Sequence, residues 1–99
     1  GRKLSIGLSP HVIDRLPKGW PRHTRFLEAY IRETRVCEDV ELLWSNDLDA
    51  LLLGDQTRHS GLYEQEVYAS NTSGPLFFVT RPGLARCRQS RAVIEELER

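Results

Sequence analysis

Four consecutive apolar residues, Leu76-Phe77-Phe78-Val79, constrain the fold more than any other feature of the sequence. Because successive side chains of a strand point to opposite faces, this run presents apolar side chains on both faces of a sheet. It is therefore expected to lie inside the sheet. The stretch 62–70 precedes it and is joined to it through Asn71-Thr72-Ser73-Gly74, a composition typical of a hairpin turn. The sequence thus predicts an antiparallel hairpin with an internal second strand.

The register of this hairpin can be predicted from the turn. If Asn71 pairs with Gly74, then Glu64 lies opposite Arg81, which places opposite charges across from each other. A solvated strand face explains such an ion pair. Glu64 is therefore interpreted as the partner of Arg81 and not as a catalytic acid or base.

The rest of the chain predicts alternating helices and strands within one domain, residues 1–99, since a second domain would leave each half too small for a core. The expected elements are a strand at 4–8, a short helix from Ser9-Pro10 to Leu16, an amphipathic helix at 21–35, a strand at 40–44, a short apolar helix at 48–53, a loop at 54–61 and a terminal helix from Leu84. This order predicts an α+β fold with a small, mainly antiparallel sheet of three to four strands and helices packed on one face.

Charge is unevenly distributed along a chain whose net charge is zero. Residues 1–36 carry eight Lys and Arg against three Asp and Glu, whereas residues 37–66 carry one Arg against eight acidic residues. Twelve of the fourteen basic residues are Arg, which binds carboxylates and phosphates through two parallel hydrogen bonds. A neutral chain with an acidic middle is a weaker candidate for nucleic-acid binding than for binding an acidic protein surface.

The helix expected at 21–35 provides the main candidate binding surface. At 100° per residue four arginines fall on one side of it, and a tryptophan just before them could anchor a partner; these residues are Trp20, Arg22, Arg25, Arg32 and Arg35. The leading hypothesis is a small non-enzymatic interaction module in which this face binds an acidic partner or the acidic segment of a second copy in a homodimer.

The hairpin also resembles part of a known family. Gln65-Glu66-Val67, the polar turn, Pro75-Leu76-Phe77-Phe78 and Arg81-Pro82 are similar to the central hairpin of chorismate lyase and of the ligand-binding domains of GntR-type regulators. The resemblance covers about a fifth of the chain. It implies a small-molecule pocket in which Glu66 and Arg81 meet a carboxylate ligand. Gln65 stands where the lyase has a substrate-binding Arg, so the resemblance does not imply lyase activity.

A second resemblance concerns the beginning of the chain. Residues 3–14 are similar to the strand and helix start of ribbon-helix-helix repressors, in which alternate strand residues read DNA. That resemblance implies that Lys3, Ser5 and Gly7 are exposed, and it keeps a DNA-binding regulator as a further alternative.

No catalytic or metal-binding motif occurs in the sequence. The histidines and cysteines, His11, His23, Cys37, His59 and Cys87, lack the paired spacing of metal ligands, and there is no nucleophile turn or phosphate-binding glycine loop. We therefore expect no metal, no cofactor and no enzymatic activity. Two cysteines are too few for a disulfide scaffold, so free thiols and a cytoplasmic location are expected, with no membrane association.

Overall fold

The computed structural model describes residues 4–8, 10–16, 27–31, 36–69 and 74–98, with the backbone alone at residues 10, 27–31 and 36–39. Five strands occur in these ranges, β1 (Leu4–Leu8), β2 (Leu27–Ile31), β3 (Ala50–Leu53), β4 (Tyr63–Val67) and β5 (Leu76–Thr80). The helices are α1 (Pro10–Ile13), α2 (Val36–Trp44) and α3 (Arg88–Glu98), and a 3-10 turn at Pro82–Leu84 precedes α3.

The five strands form one sheet in the order β2-β1-β3-β5-β4. Strand β1 is parallel to both β2 and β3, while β5 is antiparallel to both β3 and β4. Strands β1 to β4 therefore run in one direction, and β5 runs in the opposite direction. The carboxyl ends of β1 to β4 and the beginning of β5 consequently share one edge of the sheet.

Helices cover both faces of the sheet, because its central strands are apolar on both sides. On one face, called here the α3 face, Phe78 and Leu52 pack against Val12 of α1 and Val93 of α3. On the other, called the α2 face, residues of β3 and β5 pack against Leu43, the core residue of α2. All four residues of β3 and all five of β5 are buried.

The predicted α+β class is confirmed, and so is the internal position of 76–80, which lies between β3 and β4. The strand at 4–8, the hairpin strands, the loop after β3 and the terminal helix are also confirmed. The sheet has one strand more than the expected three to four, two of its four pairings are parallel, and its helices lie on both faces and not on one.

The helix predicted at 21–35 is wrong at its centre, because residues 27–31 form β2 alongside β1. Leu27, Glu28 and Ala29 are strong helix formers, but Leu27, Ala29 and Ile31 also recur with the period of two expected of a strand. Hydrogen bonding to β1 favours the strand over the helix, because helix propensity is weak enough for tertiary contacts to override it.

Two neighbouring predictions are exchanged in the structure. Residues 40–44, expected as a strand, belong to α2, and the expected helix at 48–53 contains β3. The alternation of Val40, Leu42 and Trp44 suggested a strand, yet Leu43 is fully buried while Trp44 is 48% exposed. The apolar run arises because β3 is a central strand that is covered on both faces. A short buried helix has a similarly apolar sequence, so the pattern does not distinguish the two.

The hairpin register differs from the prediction by two residues. Glu64 lies opposite Val79 and not Arg81, and among the described residues the last pair is Val67 with Leu76. The carbonyls of Gly74 and Pro75 accept hydrogen bonds from Arg15 instead of from β4. A shift of two preserves which residues share a face, so the core pattern is retained.

The exposure expected for Ser5 and Gly7 from the repressor resemblance is also wrong. Strand β1 lies between β2 and β3, which occupy both of its hydrogen-bonding edges. Gly7 is buried, and a methyl group added to it would lie 2.6 Å from Leu48 Cδ1. Within the described residues this strand is therefore not available to enter a groove of DNA; Lys3 lies outside them.

Candidate functional site

The carboxyl edge of the sheet, defined as the ends of β1 to β4 and the beginning of β5, is the first candidate site. From β1 the chain continues to β2 on one side, and β3 then lies on the other side of β1. Where strand order reverses in this way, the two connections diverge and leave a crevice outside the carboxyl ends. In open α/β sheets, ligands bind in such a crevice.

Arg15 lies at this edge. It follows α1, and its backbone N–H donates to Val12 O at 2.9 Å, which places the side chain just beyond β1. Arg15 Nη2 donates to Gly74 O at 3.1 Å and to Pro75 O at 3.2 Å, at the beginning of β5. Next to it, a methyl group at Gly54 would lie 3.1 Å from Arg15 Nη1, so the absence of a side chain there leaves room for the guanidinium.

The Arg15 guanidinium has neutral partners only. Its Nε is buried without a hydrogen-bond acceptor, and among the described residues no carboxylate forms an ion pair with it. A half-buried cation that lacks a counter-ion is electrostatically unfavourable unless an anion approaches from solvent. Its position at the carboxyl edge makes Arg15 the residue best placed to meet such an anion.

A phenol and a carboxylate lie near the same edge, where β4 ends. The Tyr68 hydroxyl donates to Glu66 Oε1 at 2.9 Å, and both side chains are exposed. This hydrogen bond, together with the negative charge of Glu66, raises the pKa of Tyr68 above its ordinary value of 10.0. Tyr68 therefore remains a neutral donor across the physiological pH range.

Arg81 lies at the opposite edge of the sheet, where β3 begins and β5 ends. Its Nη2 donates to Asp49 Oδ1 at 3.0 Å, and its Nη1 donates to Leu48 O at 2.9 Å and to Leu43 O at the end of α2. Asp49 Oδ2 in turn accepts the Ser5 N–H at 3.0 Å. The arginine thus caps a helix carboxyl terminus and joins it to two strands.

The structure does not bring together the predicted ligand residues Glu66 and Arg81. Glu66 lies opposite Phe77, and Arg81 follows four residues further along the chain, about 13 Å away at strand spacing. The terminal nitrogens of Arg81 are already bonded within the molecule. Glu64, expected to pair with Arg81, instead accepts from Thr57 N at 2.8 Å and Thr57 Oγ1 at 2.7 Å and holds the loop after β3.

The predicted partner-binding residues lie outside the described residues; these are Trp20, Arg22, Arg25, Arg32 and Arg35. Their expected common face depended on a continuous helix at 21–35, which β2 interrupts. Arg15, by contrast, was not singled out from the sequence. No spacing or motif marks it, since its position depends on contacts with residues nearly sixty positions away.

Across residues 4–8, 10–16, 27–31, 36–69 and 74–98, no three His, Cys, Asp or Glu side chains are close enough to share a metal ion. Cys87 is a half-buried free thiol, and the side chain of Cys37 is outside the described set. None of the helices described is both long enough and apolar enough to cross a bilayer.

Comparison with known proteins identifies the fold. No protein-family model and no curated protein matches the chain. Among solved structures, OxyR from Porphyromonas gingivalis is similar with a TM-score of 0.51 and 20% identity, over 67% of this chain and 32% of the OxyR chain. The oxidized form of Corynebacterium glutamicum OxyR is similar with a TM-score of 0.51 and 18% identity, over 73% of this chain and 27% of that one.

These neighbours correct the family resemblance seen in the hairpin. They are OxyR chains, and not chorismate lyase or GntR-type domains. The chain spans less than a third of the length of either OxyR chain. At this identity the similarity shows a shared fold with a portion of the OxyR chains, and nothing more.

Proposed function

We propose that the domain is a small-molecule-binding unit of a regulator, and that it binds an organic anion at the carboxyl edge of its sheet. The single observation that carries this proposal is Arg15, a cation that has no counter-ion among the described residues and lies at the place where sheets of this kind bind ligands. The regulator fold of the structural neighbours supports the same class of function.

The proposed anion is a carboxylate. Arg15 Nη1 faces Gly54, and the two carbonyls on Nη2 fix the plane of the guanidinium, so one side of it is presented in a defined orientation. The remaining terminal nitrogen, Nη1, can donate a charge-assisted hydrogen bond to one oxygen of a carboxylate.

The test is thermal unfolding of the full chain with succinate, benzoate and salicylate as probes. A ligand present at 100 times its Kd stabilises a protein by about 2.7 kcal/mol, which raises the Tm of a domain of this size by roughly 10 °C or more. We expect stabilisation by at least one of these carboxylates, and we expect it to disappear in Arg15→Gln.

Arg58→Gln is the matched control, because Arg58 is exposed in the loop after β3 and bonds only to Gln56. A carboxylate that stabilises Arg15→Gln as strongly as the unsubstituted chain would contradict the proposal, as would no stabilisation by any of the three probes. Equal loss in Arg15→Gln and Arg58→Gln would indicate a general charge effect.

The interaction role predicted from the sequence stays a prediction. Four of the five residues proposed to bind an acidic partner or a second copy are arginines, so this part of the sequence carries a concentrated positive charge. A regulator domain that binds a small molecule can also form a homodimer, so the two roles are compatible. A cytoplasmic location is likewise proposed from the sparse cysteines alone.

A further inference from the structure

A concave site whose lining does not include Arg15 lies between the edge strand β4 and helix α3. Its volume is about 430 Å³, within the range of small-molecule sites. Tyr63 and Gln65 form the wall on β4, with the Tyr63 hydroxyl donating to Gln65 Oε1 at 3.1 Å, and the buried Ile94 contributes an apolar surface. Four charged side chains complete the lining, namely Arg86, Arg91, Glu95 and Glu98.

The charges of this groove are separated by sign. Arg91, Glu95 and Glu98 follow one another at intervals of four and three residues, so they lie on one stripe of α3. Arg86 precedes the helix and adds to the positive end. At 1.5 Å per residue, the backbone positions of Arg91 and Glu98 are about 10 Å apart. The groove is therefore positive at one end and negative at the other.

These charges are not used to stabilise the molecule. In the described part of the chain, none of the four forms an ion pair, although Arg91 and Glu95 have a spacing that permits one. Helix α3 has no acidic residue in its first turn and no basic residue in its last turn, so its charges also oppose the helix dipole. Charged side chains that do not favour helix stability and that lie beside a cavity are characteristic of a binding site.

We propose that this groove binds a zwitterionic small molecule that carries a carboxylate and an ammonium group at opposite ends. The carboxylate lies between Arg86 and Arg91, and the ammonium group lies between Glu95 and Glu98. The apolar part of the ligand contacts Ile94 and the ring of Tyr63. The site goes beyond the proposed function, because it shares no residue with the carboxyl edge and selects for two charges instead of one.

The test is binding of 6-aminohexanoate to the full chain, measured by calorimetry, with hexanoate and hexylamine as probes that each retain one charge. We expect 6-aminohexanoate to bind in the millimolar range and each single-charge probe to bind about tenfold more weakly, since each lacks one set of charge-assisted hydrogen bonds. Arg91→Gln and Glu98→Gln should each weaken 6-aminohexanoate binding about tenfold.

Arg88→Gln is the control, because Arg88 is exposed on the same helix but does not line the groove. The Arg91→Gln variant should also bind hexylamine as the unsubstituted chain does, which shows that its groove is intact. The proposal is overturned if hexanoate binds as tightly as 6-aminohexanoate, if Arg88→Gln weakens binding as much as Arg91→Gln, or if 6-aminohexanoate does not bind at about 10 mM. Arg15→Gln should leave this binding unchanged, so the two proposed sites can fail independently.

Discussion

Removal of the Asp49 carboxylate should destabilise the fold more than removal of any exposed charge. Asp49→Ala deletes the acceptor of the Ser5 N–H and the partner of Arg81, both at 3.0 Å. The Asp49 side chain is 8% exposed and that of Arg81 is 19% exposed, so the pair is largely shielded from water. Breaking a buried pair by removing one partner costs about 3–5 kcal/mol. Because Arg81 keeps two carbonyl acceptors and some solvent, we expect about 3 kcal/mol.

Urea unfolding measures this loss, with an unchanged m-value showing that the transition is the same. Asp55→Ala is the control, since Asp55 is exposed in the loop after β3, and we expect it to change stability by less than about 0.5 kcal/mol. In a double-mutant cycle with Arg81→Met, the two losses should be less than additive by about 1–3 kcal/mol. A loss below about 1 kcal/mol for Asp49→Ala, or strictly additive losses, would refute the role assigned to this pair.

Three further outcomes are expected. Gly7→Ala should cost about 1–3 kcal/mol of unfolding free energy, because its methyl group would overlap two buried leucines; urea unfolding indistinguishable from the unsubstituted chain would contradict this packing. The pKa of Tyr68 should be raised from 10.0, because ionisation would remove its hydrogen bond to Glu66 and place two negative charges side by side, so Glu66→Ala should lower this pKa in an ultraviolet titration; the favourable interaction is present at neutral pH and is lost as pH rises through the raised pKa. Glu64→Ala should cost about 1–2 kcal/mol by leaving both Thr57 donors unpaired, and unaltered thermal unfolding would exclude that anchoring role.

Strong local patterns made part of the fold predictable. The alternation at 4–8 correctly indicated a strand because it fits a period of two, and the apolar run at 76–79 did so because a polar turn precedes it and Pro82-Gly83 follow it. The turn residues between the hairpin strands indicated the connection but not its length. At the end of that connection Gly74 contacts Arg15, a residue nearly sixty positions away that no local pattern identifies.

The errors arose where two periods fit the same residues. Residues 27–31 and 40–44 each satisfy a helical and an alternating pattern, and the outcome depends on which neighbouring strand is available for pairing. The exposed Trp44 and the buried Leu43 show that the stronger alternation was the misleading one. The candidate site was missed for a related reason. A lone arginine is marked by no sequence motif, and Arg15 is recognised as a site residue only from the strand ends that surround it in the structure.

The glutamates of β4 have a consequence for self-association. This strand ends the sheet order within the described chain, so one of its edges presents unpaired backbone groups to a second copy. If two copies joined there in antiparallel fashion about Gln65, each Glu64 would face the Glu66 of the other copy, on a single surface. Four carboxylates would then repel one another across the new junction, which disfavours fibre growth by strand addition in this register.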